Sequence, residues 1–344
     1  MSTNPPPVKM MLVNCIINQT FNFVPPPNMN PPVMRVMMCL RCHVIQPLRP
    51  QSAESITCDV CKFITSLNPD PHSRVPWQHY PKRAVICGIS YQNSPRKLMG
   101  SIKDAKCMKD LLITHFGFPE SAIFMLTDKE TDPWKTPTKN NLLWALNWLG
   151  QGCQPKDSLV FHYSGHGLRL RNYRLREVDD GYNETLCPMD FETEGMIFDD
   201  EINRAIVERL PPEVKLHAII DSCHKNSVLE LSFLYKKNRS GQYEWEDHSP
   251  RSGVFKGTSG GDAISFSGSV EVPTSADKAV LSETISTGSM TRCFIEAIRH
   301  GHEQTYGSIL DSMQKPVCKT SGNLIRKPLL SACGRIDVNS RLTL

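Results

Sequence analysis

Ser158-Leu-Val-Phe-His-Tyr-Ser-Gly-His-Gly167 is an apolar run that ends in a short polar motif, and Lys215-Leu-His-Ala-Ile-Ile-Asp-Ser-Cys-His224 repeats this arrangement. Apolar runs of roughly four to eight residues, rich in β-branched and aromatic side chains, are typical of buried strands. In both stretches the polar motif begins where the apolar run stops. The sequence therefore predicts two strands, each followed at once by residues that can do chemistry.

The segments around these two strands alternate between strand patterns and helix patterns. Two further apolar runs predict strands at 83–89 and 122–127. Helical spacing of apolar residues predicts helices at 101–116, 138–149 and 200–208, and Thr138 is a suitable N-cap for the second of them. Strands that alternate with helices are typical of an α/β fold. We therefore expect a mostly parallel sheet with helices on both faces.

The two polar motifs supply a nucleophile and a base. Chemistry in open α/β sheets gathers at the carboxyl ends of the strands, which is where Cys223 and His166 fall. A thiol becomes a useful nucleophile when an imidazole takes its proton, so we predict Cys223 as nucleophile and His166 as general base. Gly165 and Gly167 allow a tight turn with open backbone N–H groups. Either residue alone is better explained by a structural role, and only the pair indicates catalysis.

The first 81 residues differ in composition from the rest. Residues 1–38 are rich in Pro, Asn and Met and predict a flexible arm, and residues 64–81 predict a linker. Between them, residues 39–63 carry two Cys-x2-Cys pairs separated by fifteen residues. Four thiolates at this spacing are typical of a structural zinc site, with these ligands: Cys39, Cys42, Cys58 and Cys61. Four reduced cysteines in a flexible arm are the alternative.

Composition excludes some functional classes. The chain has 344 residues, 22% of them charged, and a net charge of +4, which gives no electrostatic reason to expect nucleic-acid binding. The N-terminus does not fit a secretory signal, and no stretch reaches the roughly 18 apolar residues of a membrane span. We therefore expect a cytoplasmic protein, with the nucleus as a second location, reduced thiols and no membrane partner. The sequence does not determine the oligomeric state, and a monomer is favoured.

The catalytic stretches resemble the metacaspases, which are caspase-like cysteine peptidases, and in detail the type I metacaspases of plants. The resemblance covers residues 80–315 closely and is carried by these segments: 82–89, 180–190, 199–203, 216–224, 238–248 and 256–261. The four-cysteine segment is similar to the LSD1-type zinc finger of many type I members. The resemblance implies a peptidase domain at 82–344, with a large portion at 82–231, a linker at 232–261 and a small portion at 262–344.

The resemblance also implies what the peptidase does. The family cleaves protein substrates after Arg or Lys, usually with Ca²⁺ as activator, and it places a pocket-floor carboxylate at Asp221. It assigns calcium ligation to the following positions: Asn183, Asp199, Asp200 and Glu230. Asn183 stands where relatives usually have Asp, so weaker calcium binding is expected. For Asp221 a capping role remains open, and Asp199 and Asp200 also suit the start of a helix.

Two departures from the family pattern leave a second function open. Lys225 and Asn226 follow the nucleophile where relatives have Ser and Gly, and residues 169–176 carry four arginines where relatives are acidic. A basic loop is unfavourable in a site that attracts basic substrates. The alternative to an active enzyme is a catalytically weakened scaffold or regulator that acts through the zinc finger and the proline-rich arm.

Overall fold

The computed structural model divides the chain into two units, residues 1–78 and 79–344. In the first unit it describes residues 36–38, 45–47, 55–57 and 64–66. In the second it describes residues 79–92, 94–171, 182–224, 227–237, 240, 242–249, 257–270, 289–301, 304–314 and 326–344. No helix among these residues is long and apolar enough to cross a membrane.

The first unit contains two pairs of short antiparallel strands. Strand β1 (Val36–Met38) pairs with β2 (Ile45–Pro47), and β3 (Ser55–Thr57) pairs with β4 (Ile64–Ser66). In sequence, one Cys-x2-Cys motif falls between the members of each pair. The four cysteines themselves lie outside the described residues, so the zinc site stays a prediction.

The second unit is built on a sheet with helices on both faces. Its strands are β5 (Lys82–Gly88), β6 (Ile123–Thr127), β7 (Ser158–Ser164), β8 (Gly167–Arg171), β9 (Tyr182–Leu186), β10 (Ile197–Phe198), β11 (Lys215–His224), β12 (Phe233–Lys237), β13 (Tyr243–Asp247), β14 (Asp262–Val270) and β15 (Arg326–Ala332). Its helices are α1 (Ser101–Thr114), α2 (Lys139–Gly150), α3 (Phe191–Glu194), α4 (Asp199–Ile202), α5 (Ser289–His300) and α6 (Tyr306–Met313).

Eight of these strands form the central sheet, in the order β13-β12-β15-β14-β11-β7-β5-β6. The five strands from β14 to β6 are parallel to one another, and β15, β12 and β13 are joined to them and to each other by antiparallel pairing. Strands β8, β9 and β10 form a separate small antiparallel sheet. The expectation of a mostly parallel α/β sheet is therefore confirmed.

Alternation along the central strands separates two apolar layers. One face of the sheet packs residues such as Ile86, Val160 and Ile219 against α1, α5 and α6. The opposite face packs residues such as Phe161 and Ala218 against α2 and the segment after α4. Both faces of a parallel sheet need such cover because its strands are apolar on both sides. Helix α1 approaches β5 closely at Gly88, where an added Cβ would lie 2.6 Å from the carbonyl oxygen of Ser101.

Local details agree with the sequence in some places and differ in others. Thr138 caps α2, since its side chain accepts a hydrogen bond from the backbone N–H of Asn141. The helix expected at 200–208 begins as α4 and continues as a π-helical turn at Asn203–Val207. The segment 232–261, expected as a linker, contains β12 and β13, which extend the central sheet. The Gly, Ser and Pro residues of this segment are typical of a loop, whereas its apolar and aromatic positions form the two strands.

The cysteines of the second unit are mostly structural. Cys87 is fully buried within β5, and Cys107 on α1 packs against the apolar core. Burial raises the pKa of the Cys87 thiol well above its usual value, so this thiol is a poor nucleophile. Cys293 on α5 is disulfide-bonded, which departs from the expectation of reduced thiols throughout.

Two buried histidines tie the sheet to its helices. His162 on β7 and His217 on β11 have their Nε2 atoms 3.0 Å from the Thr291 hydroxyl and 2.7 Å from the Tyr306 hydroxyl. Among the described residues neither Nδ1 atom has a hydrogen-bond partner. Burial lowers the pKa of each histidine to about 3, so both are neutral in the folded protein at neutral pH.

These shifts predict acid destabilisation with a defined sign. Between pH 6.5 and about 3 the unfolded chain binds protons at His162 and His217 that the folded chain does not, so stability falls as the pH falls below 6.5. Each histidine contributes a slope of about 1.4 kcal/mol per pH unit. We expect His217→Gln to remove the contribution of one proton, so that the slope of unfolding free energy against pH falls by about 1.4 kcal/mol per pH unit. Urea unfolding at pH 4 to 7 measures this slope. His115→Gln, at an exposed position, is the control and should leave the slope unchanged.

Candidate active site

The register of the central strands brings the two catalytic candidates to one edge of the sheet. Strands β7 and β11 are parallel neighbours, and Ser164 pairs with Asp221. His166 and Cys223 each lie two residues beyond this pair. Gly165 donates its backbone N–H to the carbonyl oxygen of Asp221 at 3.3 Å, so the backbone segments that follow β7 and β11 remain adjacent beyond the paired residues. The structure describes Cys223 through its backbone within β11, and this backbone lies at the edge where His166 follows β7.

Gly165 is required by close packing in the turn before His166. A Cβ at this position would lie 2.7 Å from the hydroxyl oxygen and 2.8 Å from the Cζ of Tyr163. Tyr163 is fully buried and cannot move aside easily. A glycine therefore lets β7 turn sharply and present His166 at the sheet edge.

His166 is held in one tautomer by a backbone carbonyl. Its Nε2 lies 2.7 Å from the carbonyl oxygen of Arg96, and because a carbonyl only accepts, Nε2 carries the proton. In a neutral imidazole, Nδ1 then carries the lone pair. This arrangement makes Nδ1 the atom that can take a proton from a thiol. The same carbonyl stabilises the positive charge that the ring gains when it does so.

A buried tyrosine fixes the backbone of His166. The hydroxyl of Tyr91 accepts a hydrogen bond of 3.0 Å from the His166 N–H and donates to the carbonyl oxygen of Cys187. Its ring packs against the imidazole with centroids 4.7 Å apart. Tyr163 adds a second hydroxyl, 2.9 Å from the carbonyl oxygens of both His166 and Cys187. Tyr91 adopts a φ of 49°, a costly conformation for a non-glycine residue that the surrounding contacts maintain.

The loop that supplies the carbonyl is itself fastened to α3. The guanidinium of Arg96 forms an ion pair with Glu192 and lies 5.4 Å from the centroid of the Phe191 ring. Phe191 also packs edge-on against Tyr91. These contacts connect α3 to the residues that orient His166.

Two buried carboxylates lie at the same edge as His166. Asp221 has no exposed surface, and its Oδ2 accepts a hydrogen bond of 2.8 Å from the backbone N–H of Thr291 on α5. Asp104 on α1 is also buried and accepts a hydrogen bond of 2.9 Å from the Ser164 hydroxyl. Because Ser164 and Asp221 are paired across neighbouring strands, both carboxylates approach one position on one face of the sheet.

Sequence reasoning missed Tyr91, Arg96 and Asp104. Tyr91 follows the carboxyl end of β5, where functional residues of open α/β sheets gather, as they do at the ends of β7 and β11. Asp104 lies on the buried face of α1 between Ser101 and Met108, and an acid within an apolar stripe is a signal of function. Arg96 contributes its backbone carbonyl, a group that every residue has, so no sequence signal marked it.

The predicted calcium ligands are only partly brought together. Asp199 is buried, and its two carboxylate oxygens accept hydrogen bonds from the backbone N–H groups of Glu184 and Asp200. Burial raises the pKa of the Asp199 carboxyl to about 7, and the negative charge of Glu230 acts in the same direction. Asp200 instead is half exposed and forms an ion pair of 2.9 Å with Arg204. Within the part of the chain that the structure describes, no group of three or more His, Cys, Asp or Glu residues could hold a metal ion.

Asn183 and the basic residues after Gly167 meet in the small sheet. Asn183 pairs with Leu170 across β8 and β9. Arg169 stacks on the Tyr182 ring at 3.9 Å and lies 3.7 Å from Glu184. The first arginine of the basic loop is therefore engaged by an aromatic ring and a carboxylate. Residues 172–176 of that loop, like Lys225 and Asn226, lie outside the described residues.

Comparison with known proteins places the chain in a family. Residues 82–232 match the family described as "Metacaspase, peptidase C14 domain". Metacaspase-1 of Arabidopsis thaliana is 48% identical over a 363-residue alignment that covers 92% of this chain and 98% of that protein. This chain belongs to the metacaspase family. Metacaspase-2 of the same plant is 52% identical over 70% of this chain and 58% of its own length, and Metacaspase-3 is 43% identical over 75% and 74%.

Membership gives the site its chemical class. A metacaspase is a cysteine-type endopeptidase, a hydrolase that acts on protein substrates. The type I plant metacaspase suggested by the sequence resemblance fits these relatives. The family match over residues 82–232 includes both strand ends on which His166 and Cys223 lie.

Proposed function

We propose that this metacaspase cleaves peptide bonds after Arg or Lys, with Cys223 as nucleophile and His166 as general base. The proposal rests on one observation above all: two buried carboxylates, Asp221 and Asp104, lie at the sheet edge that carries His166 and the Cys223 backbone. Each carboxylate accepts a hydrogen bond within the protein, and a nearby cation stabilises a buried negative charge further. A substrate guanidinium or ammonium group supplies such a cation.

In this proposal each ring nitrogen of His166 has its own role. His166 Nδ1 takes the thiol proton of Cys223, and the thiolate attacks the substrate carbonyl carbon to form a C–S bond. The resulting imidazolium keeps its Nε2–H bond to the carbonyl oxygen of Arg96. It then gives its proton to the departing amine, and the C–N bond breaks. Water, deprotonated by the same histidine, hydrolyses the thioester and releases the acid product.

A peptidase assay with reporters that differ only at the residue before the cleaved bond tests the proposal. We expect purified full-length protein to cleave Arg and Lys reporters in millimolar calcium and to leave an Asp reporter intact, because Asp221 and Asp104 repel a third carboxylate. Cleavage after Asp, or no cleavage of any reporter by folded protein at any calcium concentration, would contradict it.

We propose further that Ca²⁺ activates the enzyme through Asp199, Glu230, Asn183 and Asp200. Calcium takes six to eight oxygen ligands, typically from carboxylates and amides on loops. These side chains provide hard oxygen donors, and the raised pKa of Asp199 beside Glu230 marks a position where a positive charge would be favourable. When bound, the ion would supply positive charge beside the buried Asp199 carboxylate.

The calcium proposal predicts a gain of affinity from one substitution. Asn183→Asp adds a negative charge to the ligand set, so we expect the calcium concentration for half-maximal activity to fall about tenfold. The measurement is a calcium titration of cleavage of the Arg reporter. Asn339→Asp adds the same charge at an exposed position far along the chain and is the matched control. Equal midpoints for the two variants would remove Asn183 from the ligand set.

A further inference from the structure

Two fully buried polar side chains next to the site take no part in the mechanism described above. His162 lies on β7, two residues before Ser164, and its side chain therefore points to the same face of the sheet. Thr291 lies in the first turn of α5, on that face. Polar groups without exposed surface are retained at a cost unless they satisfy each other or serve the site.

Thr291 connects His162 to Asp221 with two different groups. Its hydroxyl lies 3.0 Å from Nε2 of His162, and its backbone N–H donates to Oδ2 of Asp221 at 2.8 Å. All three residues have 1% or less of their surface exposed. The hydrogen bond between the Thr291 hydroxyl and His162 holds the first turn of α5 against β7. From this position the Thr291 N–H binds one oxygen of the Asp221 carboxylate.

The first turn of α5 provides a favourable environment for a carboxylate at Asp221. The N–H groups in the first turn of a helix have no partner within the helix and carry partial positive charge, which suits an anion. His162 is neutral at physiological pH because burial lowers its pKa to about 3. It therefore supports α5 without adding a full positive charge that would compete with a basic substrate side chain for Asp221.

We infer that His162 and Thr291 are positioning residues for substrate selectivity, which set the orientation of the Asp221 carboxylate toward a basic side chain. This inference rests on the proposed function, because it needs Asp221 to meet the substrate. It goes further by placing part of the determinant of specificity on β7 and α5, in residues that do not touch the substrate. A shift of the first turn of α5 moves the carboxylate while the dyad stays in place.

The experiment compares an Arg reporter with an otherwise identical citrulline reporter, which has nearly the same shape and no charge. Thr291→Val keeps the side-chain shape and the backbone N–H but removes the hydroxyl. We expect its kcat/KM for the Arg reporter to fall about tenfold, mainly through KM, because uniform substrate binding is weakened. The citrulline reporter, and the rate at which iodoacetamide alkylates Cys223, should change less than about twofold. Thr291→Ser keeps the hydroxyl and should restore cleavage of the Arg reporter.

A second variant covers the case in which Thr291→Val does not fold, since that change leaves His162 Nε2 without a partner. The double variant His162→Leu with Thr291→Val removes both polar partners and leaves no orphan. We expect it to fold and still to lose selectivity for Arg over citrulline. Equal losses on both reporters, or unchanged selectivity in the folded double variant, would overturn the inference. Failure of the wild-type enzyme to cleave the Arg reporter would instead overturn the proposed function, and this inference with it.

Discussion

Replacing Cys223 by alanine is expected to lower kcat/KM for the Arg reporter at least about a thousandfold. The reason is that the substitution removes the thiol that we propose forms the acyl-enzyme, while β11 and its register with β7 remain. His166→Ala should cost a similar amount, because the two residues act as one unit and their effects do not add. The measurement is initial-rate kinetics on wild type and variants in saturating calcium.

Cys107→Ala is the matched control for the nucleophile. This residue is a free thiol on α1 that packs against the core and takes no part in the site. We expect the control to keep its activity within about twofold. If Cys223→Ala kept more than a tenth of wild-type activity, the nucleophile would lie elsewhere. If wild type were as inactive as Cys223→Ala, the scaffold alternative would be favoured, and Cys39→Ser would be the next variant to compare in cells.

The sequence was sufficient for the features that depend on strand ends. Apolar runs locate β7 and β11, and the rule that parallel strands end at one edge places His166 beside the end of β11. The structure adds the register, in which Ser164 faces Asp221, and that register is set by packing on both faces of the sheet. Periodicity within one strand contains no information about its neighbour, so the sequence alone could not provide it.

The orientation of the His166 imidazole could not be read from the sequence either. It depends on the carbonyl oxygen of Arg96 and on the hydroxyl of Tyr91, which reach His166 from a loop about seventy residues earlier. Contacts of this kind come from tertiary packing, and a backbone carbonyl has no residue type that signals it. The sequence did not predict strands β12 and β13 for a related reason. Strand formation depends on pairing with a neighbouring strand, here β15 for β12, as well as on residue propensity.

The proposed calcium ligands show where the family resemblance and the structure differ in detail. Resemblance groups four positions, whereas the structure pairs Asp200 with Arg204 at the surface and keeps Asp199 buried near Glu230. A bound cation would compete with Arg204 for Asp200, and this competition adds to the loss of charge at Asn183. Under the calcium proposal, both effects raise the calcium concentration that is needed for half-maximal activity. The Asn183→Asp titration measures the part that comes from the charge at position 183.

Asp221→Asn is expected to lower kcat/KM for the Arg reporter about a hundredfold and to leave the citrulline reporter nearly unchanged. The substitution keeps size and shape, and the amide oxygen of Asn can still accept the Thr291 N–H, but the charge that pairs with a guanidinium is gone. Steady-state kinetics on both reporters measure the ratio. Asp110→Asn removes a half-exposed carboxylate on α1 that lies outside the proposed sites, and it should leave that ratio unchanged.

The same variant separates the two roles that Asp221 can have. A carboxylate that only caps α5 would stabilise the helix through its partial positive charge, so Asp221→Asn would lower the free energy of unfolding by about 0.3–1 kcal/mol or somewhat more. The Arg-to-citrulline ratio would then stay at its wild-type value. A carboxylate that meets the substrate loses the ratio whether or not stability changes. Because Asn keeps an oxygen that can accept the Thr291 N–H but carries no charge, the loss of the ratio in Asp221→Asn is the result that requires Asp221 to meet the substrate cation.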